Sequence, residues 1–182
     1  MKPIHLMLVL GLTAAILAAD SDTAPLGEPA KPLTVKEWVQ GGPVNLSEGK
    51  GRNVYVLEFW ATWCPPCRES IPHLSELHAQ YKDRGLVIVG ITDEESEVVR
   101  AFVKKQGENL NYVIAIDDEL RTASDYMGVF GLDSIPAAFV VDREGRVAWY
   151  GHPLDPDFEK KIVEALKTND DSRKSSRSDT HE

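Results

Sequence analysis

The sequence predicts an α/β domain built on one mixed β-sheet with helices on both faces. Short β-branched runs at 54–59, 86–91 and 113–116 alternate with stretches whose apolar residues recur at helical spacing. That order calls for parallel strands joined by right-handed crossovers. Two further runs, 138–141 and 146–150, flank the turn sequence DREG and predict an antiparallel hairpin.

The elements follow in chain order. Residues 6–19 (LMLVLGLTAAILAA) form an uninterrupted apolar run behind Lys2. Its length suits the core of an export signal rather than a membrane span. Ala18 and Ala19 precede Asp20 at a plausible cleavage point, although Leu17 stands where a second small residue is preferred. Export, and with it an extracytoplasmic, periplasmic location, is the expectation. An uncleaved N-terminal membrane anchor is the alternative. Residues 20–32 are polar with two prolines in their first twelve positions and read as a linker to a domain spanning 33–167.

Within that domain Thr34 and Glu37 form a capping-box pattern ahead of Trp38 and Val39, predicting a short helix ended by Gly41, Gly42 and Pro43. Gly49 and Gly51 mark a turn before the strand at 54–59. Ile71, Leu74, Leu77 and Tyr81 lie on one helical face within 70–81. The run LVIVGI at 86–91 suits a strand covered on both sides. Residues 96–106 and 118–127 read as helices stopped near Gly107 and Gly128, and 158–166 as a closing amphipathic helix. Residues 168–182 (TNDDSRKSSRSDTHE) hold no large apolar side chain and are expected to be a disordered polar tail.

Composition excludes some functions. The chain is 42% hydrophobic and 27% charged, with a formal net charge of −9 and a pI near 5.1. No basic stripe is present, so no nucleic-acid partner is expected. No cofactor is expected either, and a monomer is.

The chemistry concentrates in FWATWCPPCRESIP, residues 59–72, which carries both cysteines of the chain. Cys64 and Cys67 enclose two residues, so a bridge between them closes too short a loop to stabilise the fold appreciably. A zinc site drawing on His73 and His78 fails on spacing, and residues five apart on a helix point in different directions. No metal site is therefore expected. Redox chemistry fits best. If the following helix starts near Cys64, Pro65 and Pro66 occupy its first turn, where proline costs nothing. Residues three apart then have Cα atoms about 5 Å apart, within reach of a disulfide. The helix N-terminus would favour a thiolate on Cys64, the less covered of the two, and Cys67 would resolve the mixed disulfide.

Two other residues stand out. Glu58 alternates onto the face of Val54 and Val56 in an otherwise apolar strand. It is either a buried proton acceptor for Cys67 with a raised pKa or a glutamate reaching solvent at the sheet edge. Pro136 begins a strand as an ordinary starter or as a cis bond.

The motif LEFWATWCPPCRESIP, with SIPAAFVVDREGRV further on, resembles the thioredoxin superfamily, specifically its exported TlpA/ResA-like thiol–disulfide oxidoreductases. The resemblance covers roughly 33–166 and implies a thioredoxin-like fold. It implies that Cys64 attacks, that Cys67 resolves, that Trp63 shields the pair, and that Glu58 is the family's buried acid. It also implies a cis bond at Pro136 and a helix-kinking role for Pro72. Substrate contacts are expected at Trp63, Pro65, Ile135 and Pro136. The implied partners are protein thiols and disulfides plus an upstream redox partner. The implied role is an extracytoplasmic reductant, with cytochrome c maturation as the family's best-known use.

Two departures from the pattern concern the proton route. Ser70 stands where many exported relatives have glutamate, and 86–92 lacks the lysine that thioredoxins set beside the buried acid. Two alternatives accompany the main reading: a peroxiredoxin-like peroxidase, for which Ala61 stands where a hydroxyl is needed, and a binding module with a static disulfide.

Overall fold

The computed structural model describes residues 26–167. The expected export segment and C-terminal tail lie outside the described residues, as does the first part of the expected linker. Among the described residues six strands form one sheet: β1 (Val35–Gln40), β4 (Val113–Asp117), β3 (Leu86–Thr92), β2 (Val54–Phe59), β5 (Ala137–Val141) and β6 (Val147–Gly151), in that spatial order. β2, β3 and β4 run parallel. β1, β5 and β6 join by antiparallel pairing. The chain thus has the expected mixed sheet.

The sheet separates two apolar layers. On one side α1 (Pro65–Tyr81), α2 (Ser96–Gln106) and α4 (Pro156–Lys167) pack through Leu74, Val99, Phe158 and Ile162, all fully buried. Each such side chain contributes roughly 2 kcal/mol by leaving water. On the other side Leu57, Val89, Tyr126 and Phe139 pack beneath a short helical segment and the chain around Val44 and Leu46. Every residue of β2 is buried, because this strand lies inside the sheet with both faces covered.

Three elements differ from the sequence expectation. The segment with the capping-box pattern is the edge strand β1, not a helix. Its Val35 and Trp38 pair with β4, Thr34 exchanges hydrogen bonds with the Thr122 hydroxyl, and Glu37 accepts from Ser96 and Arg100. Pairing with a preformed sheet outweighs one isolated helical turn, whose nucleation is unfavourable. The helix expected at 118–127 begins only at α3 (Arg121–Ala123) and widens into a π-helical turn over Ser124–Gly128. The Asp117 carboxylate accepts from Thr122 N and Ala123 N at 2.9 and 2.8 Å and so fixes that start. Glu119 and Leu120 before it both have positive φ, 54° and 59°. Finally, the described part of the expected linker is held in place. Gly27 N and Ala30 N donate to Val147 and Gly145 carbonyls, and the Tyr126 hydroxyl donates to Lys31 O.

The hairpin matches its turn sequence. Gly145, at φ 73°, closes a turn in which its N–H donates to Asp142 O.

Candidate active site

β2 ends at Phe59, and the chain turns through Trp60 to Trp63 before α1 begins with Cys64 as its N-cap. Pro65 and Pro66 fill the first turn and Pro72 lies inside the helix. Cys64 and Cys67 are joined in a disulfide with Cα atoms 5.3 Å apart. The backbone N–H of Cys67 donates to Cys64 Sγ at 3.3 Å. This orphan helical N–H is the kind of donor that stabilises a thiolate once the bridge is reduced.

Both cysteines are buried: Cys64 is 3% exposed and Cys67 0%, so Cys64 is the less covered of the two by a small margin. Trp63, the residue expected to shield the pair, turns outward and is 69% exposed. From the opposite side the Ile135–Pro136 loop approaches: the peptide is cis, and Ile135 O lies 3.9 Å from Cys64 Sγ.

Glu58 is fully buried, with neither carboxyl oxygen hydrogen-bonded. It cannot reach solvent at an edge, because β2 lies between β3 and β5. Burial pushes its pKa up to about 8. Its cross-strand neighbours are Gly90 and Ala138. Trp60 and Tyr112 share its apolar layer with both cysteines, and their Nε1 and hydroxyl are likewise buried without a partner. The Tyr112 hydroxyl is held well above its ordinary pKa by burial and then by the negative charge of Glu58. Gly90 makes this arrangement possible: a Cβ there would lie 2.9 Å from Ile114 Cδ1 and 3.0 Å from Trp60 Nε1. Sequence reasoning missed Trp60, Gly90 and Tyr112, although a lone glycine inside an apolar strand signals such a close approach.

A second missed feature braces the loop before Cys64. Glu94, beyond the end of β3, accepts from Thr62 N and Thr62 Oγ1, each at 2.6 Å. These charge-assisted bonds tie the two sides of the loop together across the sheet top. Glu94→Ala should therefore lower unfolding free energy by about 2 kcal/mol, read from denaturant titration. Thr62→Val should lose part of the same amount and add little on top of Glu94→Ala. An unchanged midpoint in Glu94→Ala would show that the loop is held by other contacts.

Residues 26–150 match the AhpC/TSA family. The chain is 32% identical over 130 residues to the thiol-disulfide oxidoreductase ResA of Bacillus anthracis, covering 71% of this chain and 70% of the relative. The chain belongs to the AhpC/TSA family and, within it, to the ResA-like thiol–disulfide oxidoreductases. The protein FixW of Rhizobium leguminosarum is 30% identical over 135 residues, covering 69% of this chain and 60% of FixW. A solved thiol:disulfide interchange protein of the thioredoxin family from Chlorobium tepidum superposes with a TM-score of 0.63 at 28% identity, covering 80% of this chain and 99% of that one.

In this ResA-like chain the fold is thioredoxin-like, and the Cys64–Cys67 pair has the spacing its activity requires. Of the residues singled out in the sequence, Cys64, Cys67, Pro65 and Ile135 with Pro136 converge at the start of α1. Glu58 alternates onto the β2 face of Val54 and Val56, which pack in the same layer as Cys67, and Trp63 stands at the surface beside the pair.

Proposed function

We propose that this ResA-like chain reduces protein disulfides outside the cytoplasm, with Cys64 as nucleophile and Cys67 as resolving thiol. The observation that carries the reading is the placement of Cys64 at the helix start, with the Cys67 N–H directed at its sulfur. In the reduced protein the Cys64 thiolate attacks a client disulfide. A Cys64–client bond forms and the client's other sulfur leaves as a thiolate. Cys67 passes its proton to the Glu58 carboxylate and attacks Cys64 Sγ. The intramolecular bridge re-forms and the second client thiolate departs. Two electrons pass to the client, whose thiolates take two protons from solvent, and an upstream dithiol partner restores the pair.

Glu58 suits this role because burial raises its pKa to about 8, which makes its carboxylate a far stronger base than an exposed one. The Ile135 backbone, with Trp63, Pro65 and Pro136 around it, offers an extended client segment a place to lie beside the sulfur. Cytochromes c awaiting haem attachment are one client class that fits the family resemblance. Export rests on the N-terminal apolar run read in the sequence.

The test is mixed-disulfide trapping. Cys67→Ser, reduced and mixed with a disulfide-bonded client protein, should accumulate a covalent 1:1 adduct on non-reducing gels. Failure to form any adduct would remove Cys67 as the resolving thiol. Wild-type protein consuming hydrogen peroxide faster than free cysteine does would instead favour the peroxidase reading.

A further inference from the structure

Beside the redox pair lies an apolar cavity of about 400 Å³, walled by Trp60, Ile91, Leu120, Met127, Leu132 and Ile135. It opens where β2, β3 and β4 end, and the short helical segment after β4 forms its far wall. Ile135 belongs both to this wall and to the contact with Cys64 Sγ. The cavity therefore borders, across Ile135, the place where a client sulfur must sit. A peptide lying along the Ile135 backbone advances about 3.3 Å per residue, so side chains near its cysteine would pass the residue that walls the cavity.

The rim is acidic. Asp93 and Asp133 stand exposed at the edge. The adjoining cleft shares Asp93, Asp117 and Leu120 with the cavity and adds Glu94, Glu95, Asp118 and Glu119 against Lys36. Arg121 is already bound to Asp118 and Glu119, and the Asp117 carboxylate is engaged in capping α3. The bonds that Asp117 and Glu94 accept come from neutral donors, so negative charge remains in excess at Asp93, Glu94, Glu95, Asp117 and Asp133. Leu120, 51% exposed, is held in a left-handed conformation on the border between the apolar cavity and the acidic cleft. A non-glycine residue persists in that conformation where its surroundings hold it there.

We propose that the cavity receives a large apolar side chain of the client polypeptide close to its reacting cysteine, and that the acidic rim selects clients carrying lysine or arginine next to that side chain. This rests on the reading of the chain as a reductant of protein disulfides and names the clients it takes. The apolar wall supplies contact area, and the carboxylates supply long-range attraction that salt weakens.

The probes are synthetic peptides in which one cysteine forms a mixed disulfide with glutathione and a leucine lies two residues away, flanked by lysine, serine or glutamate. The reduced wild-type protein converts each to peptide thiol and free glutathione while its own pair closes. The second-order rate constant should fall in the order lysine, serine, glutamate, with about a tenfold spread between the extremes at low salt, narrowing as salt is raised. Replacing leucine by serine in the lysine peptide should cost a similar factor. The double variant Asp93→Lys, Asp133→Lys should reverse the charge order. Equal rates for all three peptides, or an order unchanged in the double variant, would overturn the inference while leaving the redox reading intact. Reduction of no peptide at all would overturn both. A wild-type dimer in sedimentation that the double variant abolishes would assign the face to a second copy of the chain and overturn the client proposal.

Discussion

Cys64→Ser is expected to abolish insulin-disulfide reduction driven by dithiothreitol, a loss of about a thousandfold or more. The expectation follows from position. Among the described residues Cys64 and Cys67 are the cysteines present and are bonded to each other, so no other thiol can substitute. Cys64 is the one at the helix cap, facing the Ile135 carbonyl, while Cys67 lies a turn inward with no exposure. A hydroxyl in place of the sulfur remains protonated at neutral pH and cannot form the mixed disulfide. Cys67→Ser keeps the attacking sulfur and should stall after one bond exchange. Residual turnover in Cys64→Ser comparable to wild type would exclude the proposed nucleophile.

Glu58→Gln should change both stability and rate, and both differences from wild type should grow toward alkaline pH. The folded protein holds Glu58 with a pKa raised to about 8 from 4.5. The shift favours the protonated form in the fold. Its benefit is fully present below pH 4.5, falls as the unfolded chain ionises, and is gone above about pH 8, where the buried group must carry charge. The shift corresponds to a cost on the order of 5 kcal/mol. Wild type should therefore lose stability between pH 5 and pH 9, and Glu58→Gln should lose much less. Denaturant unfolding of the oxidised proteins at the two pH values reads this directly. Parallel losses in both proteins would show that Glu58 does not titrate in that window. In the reduced protein, release of the mixed disulfide should be slower in the variant by about a hundredfold near pH 8. The missing carboxylate would leave Cys67 to lose its proton without help. Identical pH–rate profiles would remove Glu58 from the mechanism.

The strands β2, β3 and β4 were legible because each is covered on both faces and so reads as an unbroken apolar run. The start of α1 was legible because two consecutive prolines fit only its first turn. β1 was not, because an edge strand is specified by its partner. Nothing local in TVKEWV distinguishes pairing with β4 from a capped turn. The segment after β4 failed for a related reason: its start is fixed by Asp117 from the end of the strand, outside the periodic pattern. Within the site, the sulfur pair and the odd carboxylate in β2 announced themselves by chemistry. The Glu94–Thr62 brace joins residues 32 apart in sequence, and Tyr112, just before β4, comes near Glu58 of β2 only through tertiary packing. Such contacts have no signature in a linear pattern.

The pairing of Gly27 to Ala30 with the hairpin has a geometric consequence. Val147 and Gly145 lie at the end of the sheet where β2 begins, whereas Cys64 follows the end where β2 finishes. Whatever precedes residue 26 is consequently attached at the pole of the domain remote from its sulfurs. A leash fixed at that pole would present the reactive tip outward, toward arriving proteins and away from the surface that holds it.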